Sequence, residues 1–242
     1  MFAGTVLLAL SGVSFLATGA KVAEAKLDAN HLKTGRFLYR TLLNGKDAGN
    51  SNISIRKIPG SSNLIYTNHV TGQFSQQWEA IAAPTFVPIS AKLIFGEGDH
   101  AHPAFELKYQ GGRVTGFAFV KQPSNASGKI KVDVDVEVLP DTVDQRIDWA
   151  AVMAQEMAPG REFEFHVFDP GAGNSRVTGR IVGPETVHVP AGTFAAMRIV
   201  YRIEKAGGTE IYQVLTKRTG LKVLLKEEFP DGAVTELVEA KD

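Results

Sequence analysis

A chain of 242 residues, 44% hydrophobic and 21% charged, has the make-up of a folded protein and is long enough to bury a core without covalent staples. Its 26 basic and 26 acidic side chains balance, which argues against nucleic acid as a partner, because phosphate neutralisation needs a concentrated basic surface. Cysteine is absent, which removes disulfides, thiolate metal sites, thiol nucleophiles and a lipidated N-terminal cysteine.

Val6 to Ala17 form an apolar run, followed by small residues and Ala23-Glu24-Ala25. The pattern predicts a signal peptide over residues 1–25, cut after Ala25 or after Ala20, and a periplasmic or otherwise exported protein. The run is too short to cross a bilayer, so no integral membrane span is expected after signal removal. No Lys or Arg precedes it, so either the start lies a few residues earlier or the signal is a poor one. Residues 26–34 are expected to be a mobile segment, and 35–242 a single β-rich domain.

From Phe37 onward short alternating runs are separated by turn residues. Phe37 to Leu43 meets Asn44-Gly45, a strong hairpin signal. Ile53 to Ile58, Leu64 to Val70, Phe74 to Ile81 and Ile89 to Phe95 follow, then Phe105 to Tyr109 and Val114 to Val120 around Gly111-Gly112. In Ile130 to Val138, Ile130, Val132, Val134, Val136 and Val138 alternate with charged residues, which predicts an antiparallel strand with one wet face. Helical spacing of Val143, Ile147, Ala150, Ala151, Ala154 and Met157 predicts one main helix over about 141–158, started by Asp141 and stopped by Pro159-Gly160. Strands resume at Phe163 to Val167, Val177 to Val182, Thr186 to Val189, Met197 to Ile203, Ile211 to Leu215, Leu221 to Glu228 and Val234 to Val238. The fold class is therefore mostly β. So many strands in one sheet must twist until it curls, giving a strongly curved antiparallel sheet or incomplete barrel with the helix across its concave side or open end.

Three stretches carry a resemblance: Glu106-Leu-Lys-Tyr-Gln-Gly-Gly-Arg-Val-Thr-Gly116, Asp148-Trp149, and Gly183-Pro-Glu-Thr-Val-His-Val-Pro-Ala-Gly-Thr-Phe194. In this order they resemble an uncharacterised family of exported bacterial β-proteins, a domain of unknown function often grouped with the half-barrels that carry lipoproteins across the periplasm. The resemblance runs from about Phe37 to the C-terminus and implies a fold, not a catalytic set. The family often has a Trp after its last Gly-rich turn, where this chain has Tyr212. In the Pro190-to-Phe194 corner, Pro190 ends strand pairing, Gly192 permits an unusual backbone angle, and Phe194 is expected to plug one end of the sheet.

Candidate chemistry is sparse. Asp99, His100 and His102 have the spacing of a weak metal site, with His69 or His166 as a further ligand, but their Gly- and Pro-bounded loop is where surface histidines are common. The preferred reading is no metal and no cofactor. Asp133, Asp135 and Glu137 read as a solvated face rather than a calcium ridge. Asp144 and Asp148, four apart, need burial to act as an acid–base pair; capping and dipole roles are preferred. No nucleophile elbow, phosphate loop or dinucleotide fingerprint is present. Aromatic residues remain as lining for a hollow: Trp78, Phe95, Phe105, Phe117, Phe119 and Trp149. These observations lead to an exported, non-enzymatic binding or carrier protein whose partner is a lipid, another amphipathic small molecule or a cell-envelope protein. The alternatives are a hydrolase or isomerase at the barrel mouth, and a structural envelope component joining through strand edges.

Overall fold

The computed structural model describes residues 25–73, 75–121 and 129–242. The apolar run before Ala25, Phe74 and the Gln122–Gly128 loop lie outside the described residues. Eight strands follow one another in the first half: β1 (Gly35–Leu43), β2 (Lys46–Lys57), β3 (Leu64–Gly72), β4 (Gln76–Ala82), β5 (Pro88–Phe95), β6 (His102–Gln110), β7 (Arg113–Lys121) and β8 (Lys129–Glu137). Seven more complete the sheet: β9 (Thr142–Asp144), β10 (Glu162–Asp169), β11 (Gly173–Val189), β12 (Gly192–Lys205), β13 (Gly208–Lys217), β14 (Leu224–Glu228) and β15 (Ala233–Lys241). All belong to one sheet, ordered from β8 down to β1, then from β15 down to β9. Every neighbour pair is antiparallel except β9 with β10.

The connectivity reveals how far this sheet curls. Its two edges are β8 and β9, yet only residues 138–141 join them. A fully extended link of that length reaches at most about 18 Å. Twist accumulated over many strands must therefore bring the edges almost together. Asn174 of β11 spans the seam, donating its Nδ2–H to the Glu137 backbone oxygen of β8 at 2.9 Å. The result is an incompletely closed barrel, as the run of alternating segments predicts.

Local signals explain the turns. Asn44 and Gly45 both take positive φ, 53° and 75°, the backbone that a two-residue hairpin with right-handed strand twist requires. β11 is one continuous strand, where two short ones over 177–182 and 186–189 are predicted. It absorbs Gly183-Pro184 through a bulge between Ile181 and Gly183. In β8 only Val134 of the five aliphatic residues is buried, and Ile130 and Val136 are exposed. As the terminal strand, β8 has a neighbour on one side only, so half of its apolar face has nothing to pack against.

The helix is shorter than predicted. Residues 142–144 pair with β10, which satisfies their backbone groups, so helical turns start only afterwards. They comprise a 3₁₀ turn over Gln145–Ile147 and α1 (Asp148–Met153). Asp144 is the cap, accepting the Arg146 N–H at 2.9 Å, while Asp141 instead meets His166 Nδ1 at 2.9 Å. At the other end the Gly160 N–H turns to the Ile181 oxygen at 2.7 Å, committing the chain to β10. Every residue of α1 is buried, so it fills the inside of the curve rather than lying on it. Within residues 26–34, Ala29 and Leu32 are buried, the Lys33 N–H donates to the Lys222 oxygen at 2.9 Å and the Lys222 N–H to the His31 oxygen at 2.7 Å.

One packing contact has a measurable consequence. On β11 the position of Gly179 lies under the buried Phe163 ring, and an added Cβ would come within 2.2 Å of it. Gly179→Ala should therefore destabilise by about 1–3 kcal/mol through overpacking. Urea unfolding checks this, and Phe163→Leu in the same chain should recover part of the loss.

Candidate functional site

Between α1 and the inner faces of β1–β5 and β13–β15 the curled sheet leaves a cavity of about 470 Å³. Period-two geometry supplies its walls, because alternate residues of each strand point inward. Ile53, Val70, Trp78 and Leu93 form one side, Trp149 the helical side, and Tyr212 and Phe229 the far side. Polar groups are interspersed. Ser51 donates to Asn68 Oδ1 at 2.7 Å, Thr41 and Thr235 lie 3.4 Å apart across β1 and β15, and Gln76 reaches the same space.

A buried ion network holds the helical side in place. Arg146 Nε donates to Asp144 Oδ1 at 2.6 Å, its Nη1 to Asp169 Oδ2 at 2.5 Å and its Nη2 to the Phe168 oxygen at 3.1 Å. Tyr109 donates to the second oxygen of Asp144 at 2.6 Å, and the guanidinium sits 4.6 Å from the centre of the Phe105 ring. Burial opposes the charge on Arg146, but Asp144 and Asp169 outweigh it and carry its pKa above the ordinary value. Asp169 is likewise held low: burial would raise it, and the Arg146 charge and hydrogen bond prevail.

Beside this network stand two acids with no cationic partner in hydrogen-bond contact. Asp148 and Glu227 are each 6% exposed and both line the cavity. Burial pushes Asp148 up to about 7, against the opposing Trp149 N–H and the more distant Arg146 and Lys205 charges. Burial and then the Asp148 charge push Glu227 up to about 8, against the Tyr201 hydroxyl. One oxygen of Asp148 accepts the Trp149 N–H at 2.6 Å, and one of Glu227 meets the Tyr201 hydroxyl at a long 3.4 Å. No hydrogen bond from a described residue reaches the other oxygen of either carboxyl. At neutral pH the pair retains at least one proton, so it presents hydrogen-bond donors and acceptors to whatever enters.

Of the six predicted lining aromatics, Trp78 and Trp149 face the cavity. Phe105 is core, under Arg146. Phe95 is partly buried outside the cavity, with Lys129 Nζ 4.4 Å from its ring centre. Phe117 and Phe119 are displaced for a simple reason of parity. Val114 and Ala118 of β7 occupy the buried face, so odd positions point outward. There the two rings pack edge-to-face at 6.0 Å, beneath Lys131. Asp99, His100 and His102 are exposed, and the imidazole of His102 meets the His100 backbone oxygen at 3.2 Å and lies with its ring centre 6.0 Å from that of Phe95. His69 reaches the near end of that loop, where it pairs with Glu97 at 3.3 Å, whereas His166 pairs with Asp141. Among the described residues no three His, Asp or Glu side chains are grouped to hold a metal. Phe194, the expected plug, is half-buried and lines a second groove of about 580 Å³ with Leu221, Val223 and Leu225.

Glu227 escapes the sequence reading because of a bulge. β13 pairs Leu215 with Lys226 and Thr216 with Leu224, which leaves Leu225 as an extra residue. Leu224 and Glu227, three apart, therefore line the same cavity, which strict alternation forbids. The available signal was a Glu inside the apolar run Val223-Leu-Leu-Lys-Glu227.

Fold and cavity together define an open, barrel-like β-protein with an interior hollow that carries two buried acids. The chain belongs to the family described as protein of unknown function DUF3108, which matches residues 39–238. The resemblance read from residues 106–116, 148–149 and 183–194 is thus confirmed as membership of an uncharacterised family. A crystal structure from Brucella abortus, described as a β-barrel-like protein of domain of unknown function DUF1849, is similar in fold. It is 11% identical, with 87% of this chain and 98% of that one covered and a TM-score of 0.51. A candidate exported protein with a YmcC-like fold from Bacteroides fragilis is 12% identical over 91% of this chain and 100% of its own, with a TM-score of 0.40. A candidate lipoprotein from Parabacteroides distasonis is 12% identical over the same shares, with a TM-score of 0.32. No curated protein matches the sequence. No helix among the described residues is long and apolar enough to cross a membrane.

Proposed function

We propose that this is an exported binding or carrier protein that holds an amphipathic guest in the cavity beneath α1. The observation that carries the reading is a hollow of about 470 Å³ whose walls mix aromatic and aliphatic faces with converging amide, hydroxyl and carboxyl groups. Export rests on the apolar run Val6 to Ala17 with its small-residue flank, and the absence of cysteine is compatible with it. A cell-envelope protein remains the natural source or recipient of such a guest.

Magnitudes say what kind of guest suits the site. Burying about 300 Å² of apolar surface yields about 7 kcal/mol gross. Association costs at least about 4 kcal/mol of that. Apolar contact alone therefore gives weak binding, and the polar groups of the cavity must supply the rest. Protein purified from its own cell envelope should release a co-purifying amphiphile in near-stoichiometric amount on denaturing extraction, read by mass spectrometry. Empty protein whose tryptophan emission ignores neutral amphiphiles would overturn the reading.

A second reading, proton transfer to a bound substrate, has one observation in its favour: two buried acids of raised pKa in one cavity. It requires that the extracted guest be chemically altered during incubation with the protein. An unchanged guest mass removes it.

A further inference from the structure

Resting on that reading, we propose that the cavity selects guests bearing a protonated amine next to an apolar body, with Asp148 and Glu227 as its anchors. Four observations converge on a cation. The two carboxyl groups are more than nine-tenths buried, and each keeps an oxygen that no described residue hydrogen-bonds. Neither oxygen is among the fully sealed, partnerless polar atoms of the described residues, so each opens onto the cavity, where an entering donor can reach it. An ammonium group offers three.

The wall chemistry also disfavours an anion. Among the described residues Arg146 is the one cation lining the cavity, against the acids Asp148, Asp169, Glu227 and Asp231. All three of its nitrogens are already engaged, by Asp144, Asp169 and the Phe168 carbonyl. Lys205, whose charge also acts on Asp148, is held by Glu210 at 2.6 Å. A fatty-acid carboxylate or a phosphate headgroup would find acids where it needs donors.

Aromatic faces complete the site. Trp78, Trp149, Tyr212 and Phe229 border the same space, and the faces of such rings attract cations within about 6 Å. Their edges and the neighbouring aliphatic side chains take the apolar body. Burial of the acids fits this use, because an arriving ammonium supplies the counter-charge that the empty pocket lacks, and a carboxyl proton leaves to solvent.

The test uses three matched probes at pH 7.5: octylammonium, octanoate and octanol. Trp78 and Trp149 are the only tryptophans of the chain and both line the cavity, so intrinsic emission reports on this site alone. Octylammonium should bind at least about tenfold more tightly than the other two, the worth of one charge-assisted hydrogen bond. Glu227→Gln should remove that advantage, so that octylammonium binds the variant no more tightly than octanol does. The variant replaces a buried acid by a neutral isostere, so its folding is not at risk, and circular dichroism verifies it. Equal binding of all three probes, or preference for octanoate, overturns the cation proposal and leaves an amphiphile-binding protein. No response to any probe overturns both the proposal and the reading beneath it.

Discussion

Replacing Arg146 with methionine should lower stability by about 3–5 kcal/mol, the usual consequence of leaving buried charges without their partner. The guanidinium side chain is 9% exposed, and Asp144 and Asp169 depend on it directly. Methionine keeps the apolar stem but strands Asp144, whose side chain is fully buried, with only the Arg146 N–H and the Tyr109 hydroxyl as donors. At roughly 2–4 °C per kcal/mol for a protein of this size, the melting temperature should fall by about 10 °C. Because the network fixes the 3₁₀ turn ahead of Asp148 and Trp149, the same change should also loosen the cavity wall and shift tryptophan emission to the red. Adding Asp144→Asn and Asp169→Asn should restore much of the loss, since neutral groups need no counter-charge. Unfolding by urea measures both variants. If the single variant is as stable as the parent, the guanidinium is not buried among these acids.

How much of this was legible in the sequence differs between wall and contents. Strands announce themselves through alternation and through turn residues such as Asn44-Gly45, whose backbone requirement is local. Membership of the sheet is legible for the same reason, but a strand's place in it is not. Ile130 to Val138 has the cleanest alternation of all, yet β8 is an edge and leaves Ile130 and Val136 exposed. The helix misleads because α1 is buried on every side, so helical spacing of apolar residues says little about its ends. Pairing of 142–144 with β10 is a tertiary contact with no local signature.

The site shows the same division. Trp78 and Trp149 are visible as bulky aromatics on inward parity, whereas Phe117 and Phe119 fail because their strand already turns Val114 and Ala118 inward. Asp148 is visible as an acid but is matched by spacing to Asp144, which in fact belongs to Arg146. Glu227, the acid whose pKa the Asp148 charge helps to raise, lies in a strand far along the chain and faces the cavity only through the Leu225 bulge.

That pairing predicts an unusual pH dependence. Stability should be greatest near pH 4–5 and fall steadily toward pH 8, opposite to the familiar acid lability of proteins rich in paired carboxylates. The sign follows from proton counts. Asp148 and Glu227 have folded pKa values raised to about 7 and about 8, from ordinary values of 3.8 and 4.5. Between these limits the native state binds more protons than the unfolded chain, so raising the pH favours unfolding. The favourable contribution is complete below the unfolded values and is lost as pH rises through the folded ones. The slope is about 1.4 kcal/mol per pH unit for each proton by which the two states differ. Asp169 and Glu164 act in the reverse sense, because their folded values are lowered; their contribution is present at pH 5 and fades only below about pH 4. The two effects therefore occupy separate windows. An Asp148→Asn, Glu227→Gln double variant should flatten the slope between pH 5 and 8, and at pH 8 it should be more stable than the parent, since an amide is cheaper to bury than a charge. Urea midpoints measured across this range for both proteins decide the matter. Parallel curves would mean that the two carboxyls are already solvated and ionised, and the cavity would then lack the buried acids on which its preference for a cation depends.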